Sequence, residues 1–194
     1  MAATEPDFYF AAMSPYSWLA AERIEVVLPG ARWRALFAGG LFKIAGRTSW
    51  GFTEHRAAEI EECERRAERY GLGTIRWPER WPTNDLRVAR AMTYADSRGE
   101  LRGFALAAMR LAFLDGCDLE EPGSVAKAAS RAGLDGGEME RAVEDPAVKS
   151  ALRELTEGAA ARGVFGVPTV AIGEQLFWGD DRLEEAASAQ TSEG

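Results

Sequence analysis

The chain reads FYFAAMSPYS at residues 8–17, a short apolar run that passes directly into the tetrapeptide Ser-Pro-Tyr-Ser at 14–17. A helix-like stretch follows from Trp18 to Leu28. A strand that turns straight into a helix presents free backbone N–H groups at the positive helix terminus, where an anion such as a thiolate can bind. Dithiol oxidoreductases carry Cys-x-x-Cys at this kind of turn, because the helix terminus lowers the thiol pKa. Both cysteine positions are serine here, so we expect no redox-active sulfur at this turn.

Length and composition favour one domain, or one domain that carries an insertion. With 194 residues, 46% of them hydrophobic, the chain can fill a core without disulfides. The net charge of −8 disfavours a nucleic-acid surface, which needs clustered Lys and Arg. No apolar run approaches the ~20 residues that span a bilayer, and residues 1–7 contain no secretory signal. We therefore predict a cytoplasmic protein that contacts neither nucleic acid nor membrane.

Cysteine and histidine are too sparse for a metal site or a Cys/His nucleophile. Cys63 and Cys117 stand in no redox or metal-ligand spacing, so we expect two reduced thiols. His55 is the only histidine, and it lies in a polar segment. We predict no metal centre.

The two ends of the chain carry the strand patterns. Residues 7–13 and 32–37 read as strands that bracket a helix, and Pro29-Gly30 closes that helix. Residues 167–172 and 175–178 read as a hairpin around Gly173-Glu174, and a helix follows from Asp181 to Ala189. The order β-α-β followed by β-β-α predicts an α/β, thioredoxin-like fold.

The middle of the chain reads as helices without strands. Apolar spacing predicts helices over 53–70, 83–97, 101–114 and 124–132, with Thr83 as the N-cap of the second, and further helices start at Asp135 and at Asp145-Pro146. The mixed charges at 61–66 read as a solvated helix face. We therefore predict a discontinuous thioredoxin-like domain, 1–45 and 160–194, with an all-helical insertion, 46–159.

Five short motifs then point to a family. Besides SPYS, the chain has GGLFK at 39–43, WPTN at 81–84, GVPT at 166–169 and FWGDDRL at 177–183. In this arrangement it resembles the 2-hydroxychromene-2-carboxylate isomerases and kappa-class glutathione transferases, a branch of the DsbA-like proteins. The resemblance covers nearly the whole chain.

The resemblance implies a binding site for glutathione or another low-molecular-weight thiol. Ser14 would hydrogen-bond the thiol sulfur and favour its thiolate. A cis Val167–Pro168 bond would turn the Val167 backbone toward an extended ligand. Asp180 or Asp181 would bind the ammonium of the γ-glutamyl end.

Simpler roles are open for the same residues. Ser14 can act only as a helix cap, and Pro168 can be a trans proline that opens an edge strand. Asp181 is also expected to cap the terminal helix, in a capping box with Glu184.

The chain departs from the family pattern over residues 46–62, where related sequences carry groups that hold the glycyl and cysteinyl parts of glutathione or order the site. Arg47 or Arg56 is expected to replace the missing cation, and Arg47 is our candidate for cofactor binding. The alternative is a thiol other than glutathione.

For the reaction, the resemblance implies that the bound thiolate adds to an enone derived from an aromatic substrate and opens the chromene ring. Bond rotation and elimination then give the trans isomer and release the thiol unchanged. Aromatic residues can wall a pocket for a flat substrate, although such residues are also common in cores. The candidate pocket residues are Tyr16, Phe42, Trp50, Trp81 and Asn84, with Phe52 and Trp77 as further aromatic candidates.

Other functional classes stay open beside this isomerase. One is a kappa-class-like glutathione transferase, and another is a homologue of DsbA-family thiol oxidoreductases, which the two serines disfavour. The last is a binding module that has lost the thiol site, consistent with the altered segment 46–62. The resemblance also implies a homodimer.

Overall fold

The computed structural model describes residues 5–193. The first four residues, part of the stretch in which we found no secretory signal, and Gly194 lie outside the described residues. The strands are β1 (Asp7–Phe10), β2 (Arg32–Ala35), β3 (Thr169–Ile172) and β4 (Gln175–Trp178). They form one sheet in the order β2-β1-β3-β4, in which β1 and β2 are parallel and the other pairs antiparallel. The predicted thioredoxin-like class is confirmed.

The helices account for most of the remaining chain. They are α1 (Pro15–Ala21), α2 (Ile24–Val27), α3 (Ala38–Ile44), α4 (Arg56–Arg69), α5 (Leu86–Ser97), α6 (Leu101–Phe113), α7 (Ser124–Arg131), α8 (Gly136–Ala142), α9 (Pro146–Ala161) and α10 (Leu183–Glu193), with short 3-10 turns at Trp50–Phe52 and Asp180–Arg182. None of the helices in residues 5–193 is long and apolar enough to cross a membrane.

Several predicted boundaries differ from the structure. The strands expected at 7–13 and 32–37 end at Phe10 and Ala35, because the chain turns after Phe10 and the Ser14 amide donates to the Ala11 carbonyl (3.2 Å). The single helix expected over 18–28 begins at Pro15 and divides into α1 and α2.

Helix α3 was not predicted, since two adjacent glycines disfavour a helix. The glycines serve packing instead: a Cβ on Gly39 would lie 2.8 Å from the Phe37 ring.

Helix caps also differ in part from the expectation. Asp135 and Asp145 accept from the backbone amides of Glu138 (2.7 Å) and Ala147 (2.8 Å) as predicted. Thr83 is not a cap: α5 starts at Leu86, whose amide donates to Asn84 Oδ1 (3.0 Å).

The capping box of Asp181 and Glu184 is wrong as well. Asp181 lies within a 3-10 turn that precedes α10, and its carboxylate accepts from Arg66. Glu184 pairs instead with Arg23.

The core surrounds the sheet on both faces. Alternate side chains of β1 point to opposite faces, so Phe8 and Phe10 join one apolar cluster and Tyr9 joins the other. In the larger cluster, Trp18 of α1 stacks on Phe113 of α6 at 5.8 Å between ring centroids. The strand-bearing ends and the helical middle therefore share one core. Cys63 and Cys117 are free thiols, as expected.

Candidate active site

Motifs that are far apart in the sequence lie together at one end of the sheet. Tyr9 pairs with Thr169, so the residues after β1 lie beside those before β3. Phe10 pairs with Ala35, and Thr169 pairs with Trp178, so the segments after β2 and β4 reach the same end. This end of the sheet therefore receives the SPYS turn together with three of the other motifs.

A cavity of about 1080 Å³ opens at this end of the sheet. Its lining includes eleven of the site residues named from the sequence: Ser14, Tyr16, Phe42, Arg47, Trp50, Trp81, Asn84, Val167, Pro168, Asp180 and Asp181. The structure thus places the candidate thiol residues and the candidate substrate pocket in one space. Their individual roles stay predictions.

Ser14 stands at the start of α1 on the cavity wall. It is half-buried, and its Oγ accepts from the Ser17 amide (3.2 Å), so the capping role is real. A hydroxyl has one proton and two lone pairs, so this cap leaves the proton for a ligand atom. Ser17 is fully buried, and its Oγ accepts from the Ala11 amide (3.2 Å). Of the two serines, Ser14 is the one that faces the cavity.

The Val167–Pro168 peptide bond is cis, as expected. Val167 is buried, and the Pro168 carbonyl accepts from the Gly179 amide (2.9 Å), which holds the chain after β4 beside this proline. The Trp81–Pro82 bond is also cis, and this was not predicted.

Asp180 and Asp181 have different environments. Asp180 is fully buried, and its two carboxylate oxygens accept from Arg66 (2.6 Å) and from the Tyr70 hydroxyl (3.1 Å). Burial raises the pKa of Asp180, while the positive charge of Arg66 opposes that shift. The Asp181 side chain is 55% exposed and has one longer contact with Arg66 (3.3 Å). Between the two candidates for a ligand ammonium, Asp181 has the greater access.

Arg66 is a site residue that the sequence did not reveal. The pattern at 61–66 indicated a solvated face, but the Arg66 side chain is only 18% exposed and lines the cavity. Its guanidinium lies 5.3 Å from the centroid of the Tyr16 ring and also pairs with Glu62 (2.6 Å). Only the Glu62–Arg66 spacing was visible in the sequence, because the partners at 180 and 181 are more than 100 positions away.

The two arginines expected to supply a cation are placed differently. Arg47 lines the cavity, with its guanidinium 5.0 Å from the Phe165 ring centroid and 5.1 Å from that of Trp178. Within residues 5–193 it forms no ion pair with a carboxylate. Arg56 instead donates to the Trp81 carbonyl (3.2 Å). Arg47 is therefore the better placed of the two to meet an anionic ligand group.

Aromatic rings form one wall of the cavity. Trp50 lies 4.7 Å from Trp81 and 6.0 Å from Tyr16, measured between ring centroids. Trp81 Nε1 donates to the Met13 carbonyl (3.0 Å), which fixes the indole beside the SPYS turn. Trp77 packs behind Trp81 and is not among the lining residues, so its expected place in the pocket is wrong.

The sequence also did not single out Asp85, which follows the WPTN motif. Asp85 is 3% exposed, lines the cavity and accepts from the Met13 amide at Oδ2 (3.3 Å). Burial raises its pKa to about 6. The nearby Tyr16 hydroxyl is different, since it donates to Glu59, and its pKa is raised by burial and by the neighbouring Cys63 and Glu59.

Comparison with known proteins agrees with the resemblance inferred from the motifs. Residues 7–190 match the family model described as DSBA-like thioredoxin domain. The 2-hydroxychromene-2-carboxylate isomerase of Sphingobium xenophagum is 28% identical over 92% of this chain and 93% of that protein. The Pseudomonas putida protein of the same name is 24% identical over 94% of this chain and 92% of that protein.

A solved structure gives the same answer for the fold. A 2-hydroxychromene-2-carboxylate isomerase superposes with a TM-score of 0.85 at 23% identity, over 96% of this chain and 94% of that one. At this level of identity the likeness establishes the architecture alone.

Proposed function

The chain belongs to the DSBA-like thioredoxin domain family, and on that premise we propose that it is an isomerase that uses a bound low-molecular-weight thiol as its catalyst. The proposed thiol is glutathione or a similar compound, and the proposed substrate is an aromatic-derived compound such as 2-hydroxychromene-2-carboxylate. The observation that carries this proposal is Ser14, a hydroxyl in the place of a redox sulfur, in the same cavity as Val167 and Pro168.

The thiol has to come from outside the chain. Neither Cys63 nor Cys117 lines the cavity, and burial raises the pKa of the Cys63 thiol, which makes it a poor nucleophile. A dithiol reaction needs two sulfurs at the turn, where this chain has Ser14 and Ser17. The turn can instead donate a hydrogen bond to the sulfur of a bound thiol and stabilise the thiolate.

Polar groups in the cavity that holds Ser14 suit the two ends of such a thiol. Asp181 offers an accessible carboxylate for an ammonium group, and Arg47 offers a guanidinium for a carboxylate. Trp50 and Trp81 supply an apolar surface for a flat aromatic ring. The supporting argument is thus charge and shape complementarity across one cavity.

The proposed reaction conserves atoms and electrons. The thiolate forms a bond to the β-carbon of the enone. The electron pair of the carbon–carbon double bond forms a new double bond to the carbonyl carbon, and the carbonyl pair moves to oxygen, which gives an enolate. Rotation follows about the carbon–carbon bond that was the double bond and is now single. Elimination breaks the carbon–sulfur bond, restores the double bond in the trans arrangement and releases the thiol, which is neither consumed nor oxidised.

Turnover of 2-hydroxychromene-2-carboxylate, with and without glutathione, tests this proposal in the wild type, in Ser14→Ala and in Ser97→Ala. Ser97 is an exposed serine on α5 and serves as the matched control. We expect turnover that requires glutathione and that falls about ten- to hundredfold in Ser14→Ala, because a hydrogen bond to a charged atom contributes ~1.5–3 kcal/mol. Equal turnover in the wild type and Ser14→Ala would remove Ser14 from the reaction. A stable thioether product would indicate a glutathione transferase instead.

A further inference from the structure

Asp85 immediately precedes α5 and lines the same cavity as the SPYS turn. Its Oδ2 accepts from the amide of Met13, the residue that precedes Ser14, at 3.3 Å. It is 3% exposed, and it borders the cavity that holds Ser14. Ser14 and this carboxyl group therefore border the same cavity, and the residue before Ser14 contacts Asp85 directly.

The carboxyl group of Asp85 has little to compensate its burial. Within residues 5–193 it forms no ion pair, and Arg80, the closest arginine before it in the chain, pairs with Asp118 (2.8 Å). Only backbone N–H groups, those of Met13 and of Asp85 itself, oppose the effect of burial on its pKa. A buried charge without a partner lowers the free energy of unfolding, so folding by itself gives no reason for a carboxyl group here. Such a group is a candidate for function.

Thr83 gives a second, independent sign that this wall receives a polar ligand group. Its Oγ1 is buried and has no hydrogen-bond partner among residues 5–193, although it borders the same cavity. Buried hydroxyls in native proteins are nearly always hydrogen-bonded. A ligand hydroxyl or carbonyl at this wall would satisfy Thr83, which borders the same cavity two positions before Asp85 in the chain.

We propose that Asp85 is the general base that accepts the proton of the substrate's ring hydroxyl and so opens the cyclic hemiketal. This inference rests on the proposed function, whose substrate carries a hydroxyl at the ring carbon next to oxygen. The proton passes to a carboxylate oxygen of Asp85, and the O–H electron pair forms the new carbonyl. The ring C–O bond breaks, and its electron pair leaves on the phenolate oxygen. Asp85 then returns its proton to that phenolate, so the net change is an isomerisation.

The other acids that line the cavity are less suited to this step. They are Glu59, which accepts from Tyr16; Asp180 and Asp181, which pair with Arg66; and Glu120, which is exposed to solvent. The cavity is also lined by three arginines in addition to Arg66, namely Arg47, Arg80 and Arg182. None of them pairs with Asp85. Asp85 differs from the other acids in being buried and without a cation.

Ring opening of a saturated analogue tests this inference without any thiol. Optically enriched 2-hydroxychroman has the cyclic hydroxyl but no double bond, so a thiol cannot add to it, and it racemises only when the ring opens. We expect the wild type to accelerate racemisation and Asp85→Asn to lose about 10²- to 10⁴-fold of that acceleration. The amide oxygen of asparagine can still accept from the Met13 amide, so the turn keeps its support. Asp96→Asn, the same change at an exposed position of α5, should retain the wild-type rate.

The pH profile separates a base from a structural residue. The wild-type rate should fall as the pH drops through about 6, because the carboxylate form is lost there, and Asp85→Asn should lack this acid limb. An Asp85→Asn rate equal to that of the wild type, or no acceleration by the wild type, would overturn the inference whatever the thiol-dependent assay shows. Racemisation that depends on Asp85, in a protein without thiol-dependent turnover, would support the base and reject the proposed isomerase.

Discussion

Ser14 and Asp85 line the same cavity, but contacts of very different sequence range hold them there. Ser14 stands between β1 and α1, and the amide that its Oγ accepts from, that of Ser17, is three positions later. The environment of Asp85 depends on how α5 packs against Met13, 72 positions earlier. Arg66 is similar, since its partner Asp180 is 114 positions away. Residue type and spacing do not encode such long-range contacts.

At the residue scale, replacing Asp85 with Asn should stabilise the protein at neutral pH. The folded-state pKa of Asp85 is raised to about 6 from an ordinary 3.8. Its protonated form therefore contributes stability that is complete below pH 3.8 and is lost as the pH rises through about 6. The amide never ionises, so at pH 7 the free energy of unfolding of Asp85→Asn should exceed that of the wild type by about 3 kcal/mol.

Urea unfolding at pH 7 and at pH 4 measures this difference. At pH 4 the two proteins should differ by less than about 1 kcal/mol, because the folded-state carboxyl is almost fully protonated there and the unfolded-state carboxyl, of pKa 3.8, is partly protonated. A variant that is less stable than the wild type at pH 7 would mean that the ionised carboxylate makes stabilising contacts. That result would contradict the description of Asp85 as a buried carboxyl without a cation.

At the scale of elements, strands and helices with a regular apolar pattern were predictable, and elements whose residues disfavour them locally were not. The hairpin of β3 and β4 followed from two apolar runs around Gly173, which has the positive φ of 55° that favours glycine at such a turn. Helix α3 was missed because Gly39 and Gly40 disfavour a helix locally, while close packing of the Phe37 ring requires them. Tertiary packing overrides propensity at such positions.

The turn between β1 and α1 gives a prediction for an element. A variant with cysteine at both 14 and 17 should have a low thiol pKa at the first position, because the start of α1 stays in place. We expect the two introduced thiols to form a disulfide on oxidation. Thiol alkylation followed across pH measures the pKa, with Cys117 in the wild type as the reference. A value near ~8.5 for the first thiol would show that the turn does not bind anions.

At the scale of the whole molecule, the cavity lies between the two regions that the sequence distinguishes. The strand-bearing ends supply Ser14, Pro168 and Asp181, whereas the helical middle supplies Trp50 and Asp85. The proposed thiol site thus belongs to the strand-bearing ends, and the proposed substrate wall belongs to the helical segment between them. All of these residues except Asp85 were named from the sequence, but the shared core was not predicted, because it depends on contacts such as Trp18 with Phe113. The homodimer stays a prediction.

Ultraviolet absorbance of the thiolate is the measurement that tests most directly whether this cavity activates an external thiol. Glutathione is titrated into the protein at pH 7, where a free thiol of pKa ~8.5 is mostly protonated. We predict a saturable rise in thiolate absorbance with the wild type and a much smaller rise with Ser14→Ala, while S-methylglutathione, which has no thiol, competes without any rise. A titration without a rise, or an equal rise for both proteins, would contradict a thiol site at Ser14.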